Sequence, residues 1–176
     1  MAKRILEAST VLYPVPTVLV SCGDEQPNII TVNRIASMAA EPPVIGISLR
    51  SARLSHAIIS RMGEFVVNLP TAEMLEVADL CGTTTGRSTD KFACTGLTPI
   101  PALIVKAPLI AECPVNIECR VIQVVNLVSH DLFLARVEVV HAEESVLGAD
   151  GEVDYYKANP LAYTAAVVRE RPAKLK

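Results

Sequence analysis

Short apolar runs, each bounded by turn-forming residues, dominate the first half of the chain. The run Thr17–Cys22 is rich in β-branched residues and stops at Gly23-Asp24, and a second run follows over residues 28–35. β-Branched runs separated by a short polar turn favour strands, so these two predict a β-hairpin. Residues 44–49 and 65–69, each next to a proline, predict two further strands.

Helical spacing replaces this pattern in two places. Apolar residues recur every three or four positions over residues 54–62, and Gly63 stands where a helix C-cap glycine belongs. Serine is a favoured N-cap residue, so Ser51 or Ser55 is the predicted start of this helix. A second helix is predicted to begin at Thr71.

The second half of the chain reads as a loop followed by two long strands. Residues 82–100 are rich in Gly, Thr and Ser, which predicts a loop. Val115–Val121 alternates apolar and polar residues, which is typical of a half-buried strand. The alternation breaks at Ile122-Gln123, which predicts a β-bulge, and a last long strand is predicted over residues 132–141.

This order of elements predicts a mainly β protein with a few helices. It is not the strand–helix alternation of a dinucleotide-binding sheet, and the chain has neither G-x-G-x-x-G nor a phosphate-binding P-loop. An antiparallel barrel covered by a few helices fits better. The 176 residues contain no repeat or linker, so we expect a single domain over 1–176, with its core at about 10–165 and a basic tail at 169–176.

Composition and charge exclude several classes of partner. With 16 basic against 19 acidic residues and no Trp, the chain lacks both the positive excess and the stacking aromatics of a nucleic-acid binder. Apolar stretches are interrupted well before the roughly 20 residues needed for a membrane span. Without the apolar core of a secretory signal near the start, the expected location is the cytoplasm.

Cysteines and histidines offer no metal site or hydrolytic centre. The five cysteines show no C-x-x-C spacing and are expected to be buried free thiols. The three histidines lie far apart, and G-x-S-x-G and H-E-x-x-H are both missing. No catalytic residue and no metal ligand is therefore predicted.

Two segments have the composition of an anion site. Residues 48–56 run from a strand end through two arginines and two serines into a helix N-terminus, where free N–H groups favour an anion. Residues 86–92 combine a glycine turn with Arg, Ser and Lys. Each has a structural alternative, a capped helix with solvated arginines and a plain surface loop. Their joint occurrence favours a phosphate-bearing ligand.

The strand over residues 30–36 is a candidate wall for a flat heteroaromatic ring. By the strand period Thr31 and Asn33 point to one side, and Val32 and Arg34 to the other. The alternative is a plain barrel strand.

Taken in order, several segments resemble one known family. NIITVNRIAS, PPVIGISLRSARLSHAII, EFVVNLP, CGTTTGRSTDKF and the strand ending VEVVHAEE are similar to the flavin reductase-like, FMN-binding split-barrel family, which includes flavoredoxins and NAD(P)H:flavin oxidoreductases. The resemblance covers about residues 10–165. It implies a six-stranded antiparallel Greek-key split barrel, a homodimer, and FMN near the subunit interface. The segment PLAYTAAVV lacks the glycine that relatives often have there, so no role is carried over to it.

The resemblance also implies a set of flavin-binding residues. The residues that it implies for the flavin ring are Thr31, Val32, Asn33 and Arg34. Those that it implies for the ribityl phosphate are Ser48, Leu49, Arg50, Ser55 and His56. A further phosphate contact is implied for Ser88 and Lys91.

Three functions remain open. One is an FMN-dependent reductase that takes hydride from NAD(P)H as co-substrate and passes it to free flavin or another acceptor; the flavin carries this chemistry, so no acid–base pair is required. Another is a flavoredoxin-type electron carrier with a protein redox partner. The third is a ligand-binding barrel without redox turnover. FMN is favoured over FAD, although the phosphate segment suits either.

Overall fold

A curled antiparallel sheet organises the chain. The structure is a computed structural model that describes residues 1–164 and 167–169. The strands are, in chain order, β1 (Val15–Pro16), β2 (Val18–Cys22), β3 (Asn28–Val32), β4 (Ile35–Ala40), β5 (Pro43–Leu49), β6 (Glu64–Leu69), β7 (Pro99–Ile100), β8 (Leu109–Ile110), β9 (Val115–Asn126), β10 (Asp131–Ala142), β11 (Ala162–Thr164) and β12 (Val167–Arg169). The helices are α1 (Leu54–Met62), α2 (Leu75–Thr83), α3 (Lys91–Thr95) and α4 (Tyr155–Ala158), with 3-10 turns at Ala72–Met74 and Glu144–Val146.

The main sheet has the order β3-β2-β6-β9-β10-β5-β4, and its neighbouring strands are antiparallel. Two small sheets, β1-β11-β12 and β7-β8, accompany it. The predicted class, a mainly β antiparallel split barrel with a few helices, is therefore confirmed, but the main sheet has seven strands and not the six that the resemblance implied.

The main sheet contains seven strands because the predicted strand over residues 28–35 is two strands. β3 ends at Val32 and pairs with β2, whereas β4 begins at Ile35 and pairs with β5 at the opposite edge. Asn33 and Arg34 connect them, and the Arg34 carbonyl accepts a hydrogen bond from Ser48 N at 2.9 Å. The alternation of apolar and polar residues lapses at this point, where the two adjacent polar residues separate Val32 from Ile35, and the prediction of one continuous strand passed over it.

Helix α1 has the predicted span, but its N-cap residue differs from the predicted one. Gly63 ends it with φ 70°, and its N–H bonds the Ile59 carbonyl at 2.8 Å, as a glycine C-cap does. Its N-cap residue is Arg53, with no side-chain cap hydrogen bond, so the serine cap prediction is wrong. Ser55 is buried and instead accepts a hydrogen bond from Asn28.

The structure differs from two further local predictions, the start of the second helix and the loop over residues 82–100. Thr71 precedes a 3-10 turn, makes no side-chain cap bond, and is separated from α2 by that turn. The predicted loop over residues 82–100 contains helix α3, because Asp90 Oδ1 accepts from Ala93 N at 3.1 Å and caps it. Gly96 closes α3 with a positive φ of 71°. Only five residues form this helix, too few to show periodicity.

Strands β9 and β10 form the longest pairing of the sheet and confirm the predicted bulge. Val121 pairs with Ala135 and Gln123 pairs with Leu134, which leaves Ile122 as the extra residue. The hairpin ends in a tight tip between Asn126 and Asp131.

The core is mainly aliphatic. Phe65, Phe133 and Ile47 are fully buried in the barrel cluster, and Leu19 and Ile29 pack with α2 and α3 on the other face of the sheet. Four cysteines are buried as expected, whereas Cys94 is exposed. Burial raises the pKa of Cys22 and of Cys119 to about 12, so both stay protonated thiols. Over residues 1–164 and 167–169, no helix is long and apolar enough to cross a bilayer.

A buried carboxylate fastens the loop that leads into β8. Glu118, 0% exposed, accepts hydrogen bonds from the backbone N–H groups of three consecutive loop residues at 2.7–2.8 Å: Leu103, Ile104 and Val105. His141 Nε2 lies 2.7 Å from Glu118 Oε1. Burial by itself raises the pKa of Glu118, but the bonds from His141 and the three amides outweigh it and hold the pKa below its ordinary value.

Candidate functional site

The ends of β3 and β5 and the start of α1 enclose two adjoining clefts. The anion cleft, of about 270 Å³, is lined by Asn28, Arg50, Arg53, Ser55, Gly86 and Lys91, among others. The strand cleft, of about 360 Å³, is lined by Thr17, Thr31, Val32, Asn33, Arg34, Ser48, Leu49 and His130, among others. Ile30, Arg50 and Arg53 belong to both, so the two clefts form one continuous groove.

Lys91 is the buried cation of the anion cleft. It is 4% exposed, and its Nζ donates to the Ile29 carbonyl at 2.8 Å and to the Cys81 carbonyl at 2.7 Å. An ammonium group has three N–H donors, so one remains for a ligand. Burial, assisted by the positive charge of Arg53, lowers the pKa of Lys91 below its ordinary value. A bound anion would offset the free-energy cost of desolvating this charge.

The first turn of α1 supplies neutral donors beside this lysine. Asn28 Nδ2 donates to Ser55 Oγ at 2.7 Å, which occupies that oxygen as an acceptor, and the Ser55 hydroxyl also lies within hydrogen-bonding reach of the Cys22 thiol. Arg53 provides no side-chain cap, so the first N–H groups of α1 are not satisfied in that way. Together with the helix dipole, they favour an anion at this point.

Arg50 and Arg53 carry exposed positive charge to the junction of the two clefts. The Arg53 N–H bonds the Arg50 carbonyl at 3.0 Å, so a tight turn places both residues together. Because these side chains are exposed, we expect them to attract an anion but to bind it less firmly than buried Lys91 does.

The strand cleft combines apolar and polar lining groups. Val32 and Leu49 are buried apolar residues, whereas Asn33, Arg34 and Ser48 add polar groups at the break between β3 and β4. The Thr31 hydroxyl is already used, since it donates to the Ala78 carbonyl of α2. Apolar contacts together with several polar groups suit a heteroaromatic ring.

His130 enters the strand cleft from the tip of the β9–β10 hairpin. Burial, together with the charges of Arg34 and Arg50, lowers the pKa of His130 below its ordinary value of 6.5, so the imidazole is neutral near pH 7. Ser129 Oγ lies 2.8 Å from His130 Nδ1, which leaves Nε2 as the ring nitrogen for a ligand. Sequence reasoning treated this histidine only as a hairpin tip.

Two of the eleven predicted site residues lie outside both clefts. His56 Nε2 bonds Asp131 Oδ2 at 2.7 Å, and its ring stacks edge-on against Phe133 with centroids 5.2 Å apart. Ser88 lines a neighbouring cleft with Arg61 and Arg87. The other nine line the groove. Other lining residues are not among the eleven, and they include Thr17, Asn28, Arg53, His130 and Tyr163.

Gly86 is required by the close packing at the end of the anion cleft. A Cβ atom there would overlap Asn28 Oδ1 and approach Leu54 Cδ2 to 3.1 Å. Gly86→Ala should therefore push the Asn28 amide off Ser55 and weaken binding of the flavin that the sequence resemblance implies about tenfold, the effect of losing roughly one hydrogen bond. Titration of flavin fluorescence measures this. Asn28→Ala and the Asn28→Ala/Gly86→Ala double variant should bind alike; a further loss in the double variant would contradict a route through Asn28.

The donor set of the groove suits a phosphorylated aromatic ligand, with a buried ammonium, a serine hydroxyl and a helix N-terminus at one end, and a mixed apolar and polar lining at the other. In the described part of the chain no group of three or more metal-ligating side chains comes together. The chain belongs to the family of the flavin reductase like domain, whose model matches residues 10–170.

Relatives and solved structures agree with this family. An uncharacterized protein of Archaeoglobus fulgidus is 33% identical over 154 residues, covering 88% of this chain and 86% of the relative. The flavoredoxin of Desulfovibrio vulgaris (Miyazaki F) superposes with a TM-score of 0.92 at 32% identity, over 99% of this chain and 96% of that one. The NADH-dependent flavin reductase StyB of Pseudomonas fluorescens is 32% identical over 117 residues, 65% of this chain and 63% of the relative.

Proposed function

We propose that this protein binds FMN in the groove and transfers reducing equivalents from NAD(P)H to free flavin or another acceptor. The observation that carries the proposal is the continuity of the anion cleft, with buried Lys91 and Ser55, and the strand cleft beside Arg34 and His130. The similarity to an NADH-dependent flavin reductase supports the choice of donor.

The residues of the groove would divide the work. Bound FMN supplies the hydride and electron chemistry. Lys91, Ser55 and the first turn of α1 hold the phosphate, and Arg50 adds charge at the junction. Arg34 places positive charge at the strand cleft, which favours the negatively charged reduced ring. Neutral His130 can donate or accept a proton there through Nε2.

The flavin we propose is FMN in preference to FAD. Lys91, Ser55 and the N-terminus of α1 converge on the anion cleft, and this compact set of donors suits the single terminal phosphate of FMN.

Visible absorption spectroscopy tests the function most directly. The protein would be examined as purified, after adding FMN, and after anaerobic mixing with NADH or NADPH. A yellow protein that bleaches rapidly supports the reductase. A yellow protein that stays oxidised supports the second candidate, an electron carrier with a protein redox partner, which the similarity to a flavoredoxin favours. A colourless protein that ignores FMN contradicts both and leaves a non-redox ligand-binding barrel.

We also propose that a second copy of the chain covers the apolar cavity beside the strand cleft. This cavity of about 620 Å³ is lined by Ile35, Val44, Ile45, Val137 and Val140, among others, and Thr17 belongs both to it and to the strand cleft. Large apolar side chains nearby remain exposed, Val140 to 54%. Contiguous exposed apolar surface is typical of an interface between copies.

Light scattering after size-exclusion chromatography tests the dimer. The wild type should elute as a dimer, and Val140→Glu should shift it toward monomer, since an unpaired charge would be buried at the interface. Leu103→Glu, at a residue that is 71% exposed on the loop before β8, is the control and should remain dimeric. A monomeric wild type would contradict the interface.

A further inference from the structure

A hydrogen-bonded network at the tip of the β9–β10 hairpin joins helix α1 to the strand cleft. Asp131 Oδ2 pairs with His56 Nε2 of α1 at 2.7 Å, and Asp131 Oδ1 accepts from Asn126 Nδ2 at 2.7 Å. Asn126 Oδ1 in turn accepts from Val128 N at 3.1 Å. One carboxylate and one amide thus tie the helix to the backbone of the tip.

The tip itself has a strained residue at its centre. Val128 has a φ of 66°, a left-handed conformation that a β-branched residue rarely adopts, and its side chain is 96% exposed. No burial of the Val128 side chain compensates for this conformation. The network must therefore supply part of what holds the turn, because strain persists only where the surroundings determine the conformation.

His130 is the residue of this tip that reaches the proposed flavin site. It lies between strained Val128 and anchored Asp131, and its carbonyl accepts from Leu127 N at 2.8 Å. Asp131 is paired across the sheet with Leu49, a wall of the strand cleft. The orientation of the tip therefore decides whether the His130 imidazole stays at the cleft beside Arg34 and Arg50.

We propose that His56, Asn126 and Asp131 are positioning residues that hold the strained hairpin tip so that His130 Nε2 faces the flavin. This inference rests on the proposed function only for the identity of the ligand. It gives His56 a role in orienting His130 rather than a direct contact with the phosphate, in keeping with its place outside the anion cleft.

Asn126→Ala removes both bonds of the amide and is the central test. The readout in the protein without flavin is the pKa of His130, followed by NMR of the imidazole. The pKa now lies below 6.5 because of burial and the charges of Arg34 and Arg50, and release of the tip should raise it toward 6.5. Flavin fluorescence should then show FMN affinity reduced about 2- to 10-fold. Gln123→Ala, an exposed amide on the same strand, should change neither value.

Relief of the strain provides a rescue that a merely structural role would not give. Glycine adopts φ near 66° at little cost, so Asn126→Ala/Val128→Gly should return both the His130 pKa and the FMN affinity toward wild type. In a His130→Gln background, Asn126→Ala should no longer alter FMN affinity, because the residue through which it acts is gone.

The outcomes separate this inference from the proposed function. An unchanged His130 pKa in Asn126→Ala, or a failure of Val128→Gly to restore it, would overturn the positioning network whatever the protein binds. A wild type that binds no FMN but shows the pKa change and its rescue would contradict the flavin function and leave the network in place. Both failures together would remove both proposals.

Discussion

Replacing Lys91 with Gln is expected to weaken FMN binding about 10- to 150-fold while changing riboflavin binding little. The basis is the loss of a charged hydrogen bond, worth roughly 1.5–3 kcal/mol. Lys91 is buried, with two N–H groups committed to the Ile29 and Cys81 carbonyls, so its remaining donor is held in place at the anion cleft. Riboflavin lacks the phosphate and reports any general damage to the groove. Fluorescence titration with the two flavins gives the ratio that decides the assignment.

Controls separate charge from structure in this experiment. Lys106→Gln removes an exposed ammonium 3.8 Å from Asp24 and should leave both affinities unchanged. Arg50→Ala should cost about 1 kcal/mol, less than Lys91→Gln, because exposed charges are screened. Equal losses for FMN and riboflavin in Lys91→Gln would make the lysine structural, and no loss in either Lys91→Gln or Arg50→Ala would refute the phosphate site.

The dependence of FMN affinity on pH should also report the charge of Lys91. Burial lowers the pKa of Lys91 below the ordinary 10.5, so its charge is lost at a lower pH than that of an exposed lysine. FMN affinity should therefore fall as the pH rises through this lowered pKa, before 10.5 is reached. Riboflavin affinity should stay level over the same range, and a parallel fall would indicate general alkaline loss of structure.

Glu118→Gln is expected to lower the free energy of unfolding by about 3–5 kcal/mol, the cost of breaking up a buried charged network. The carboxylate accepts from Leu103, Ile104 and Val105 N–H groups and pairs with His141. An amide has only one acceptor oxygen, so its NH₂ group would face backbone donors and leave them unsatisfied. Urea unfolding monitored by circular dichroism measures the change.

A matched carboxylate on the surface shows how much of this effect is burial. Glu112 also accepts a backbone N–H, that of Thr98 at 3.0–3.1 Å, but it is exposed, so Glu112→Gln should cost less than about 1 kcal/mol. FMN affinity should be unchanged in both variants, because neither residue lines the groove. Equal destabilisation of the two variants would contradict the role assigned to Glu118.

Acid should remove the advantage of the wild type over Glu118→Gln. The pKa of Glu118 in the folded protein is lower than its ordinary 4.5, so the carboxylate stabilises the fold fully above about pH 4.5. That contribution is lost as the pH falls through the lowered folded pKa. The difference in unfolding free energy between wild type and variant should therefore shrink below pH 4.5, and a constant difference would show that the charge of Glu118 is not its cause.

Local patterns were enough to predict most strands, helix α1 and the two segments of the anion cleft. The span of α1 and its end at Gly63 follow from helical spacing and from the freedom of glycine at positive φ. The bulge at Ile122 follows from the break in alternation. These features depend on residues within a few positions of each other, which is the range over which periodicity and conformational preference act.

The break at Asn33-Arg34 was not predicted. Two adjacent polar residues interrupt the alternation there, but they do not reveal that the chain changes its pairing partner from β2 to β5 at the other edge of the sheet, which only the tertiary structure decides. Helix α3 and its Asp90 cap were hidden for a related reason, since five residues within a polar stretch show no helical period.

By itself, the sequence of this protein determined a mainly β architecture, the place of α1 and the residue types of the proposed phosphate-binding groove. The tertiary structure decided which of those residues meet. Lys91 reaches Ile29 across 62 positions, Asn28 reaches Ser55 across 27, and His56 turns to Asp131 across 75. Such contacts arise from strand pairing and from the need to satisfy buried polar groups. Both bring together residues that lie far apart in the sequence, so local sequence patterns do not predict them.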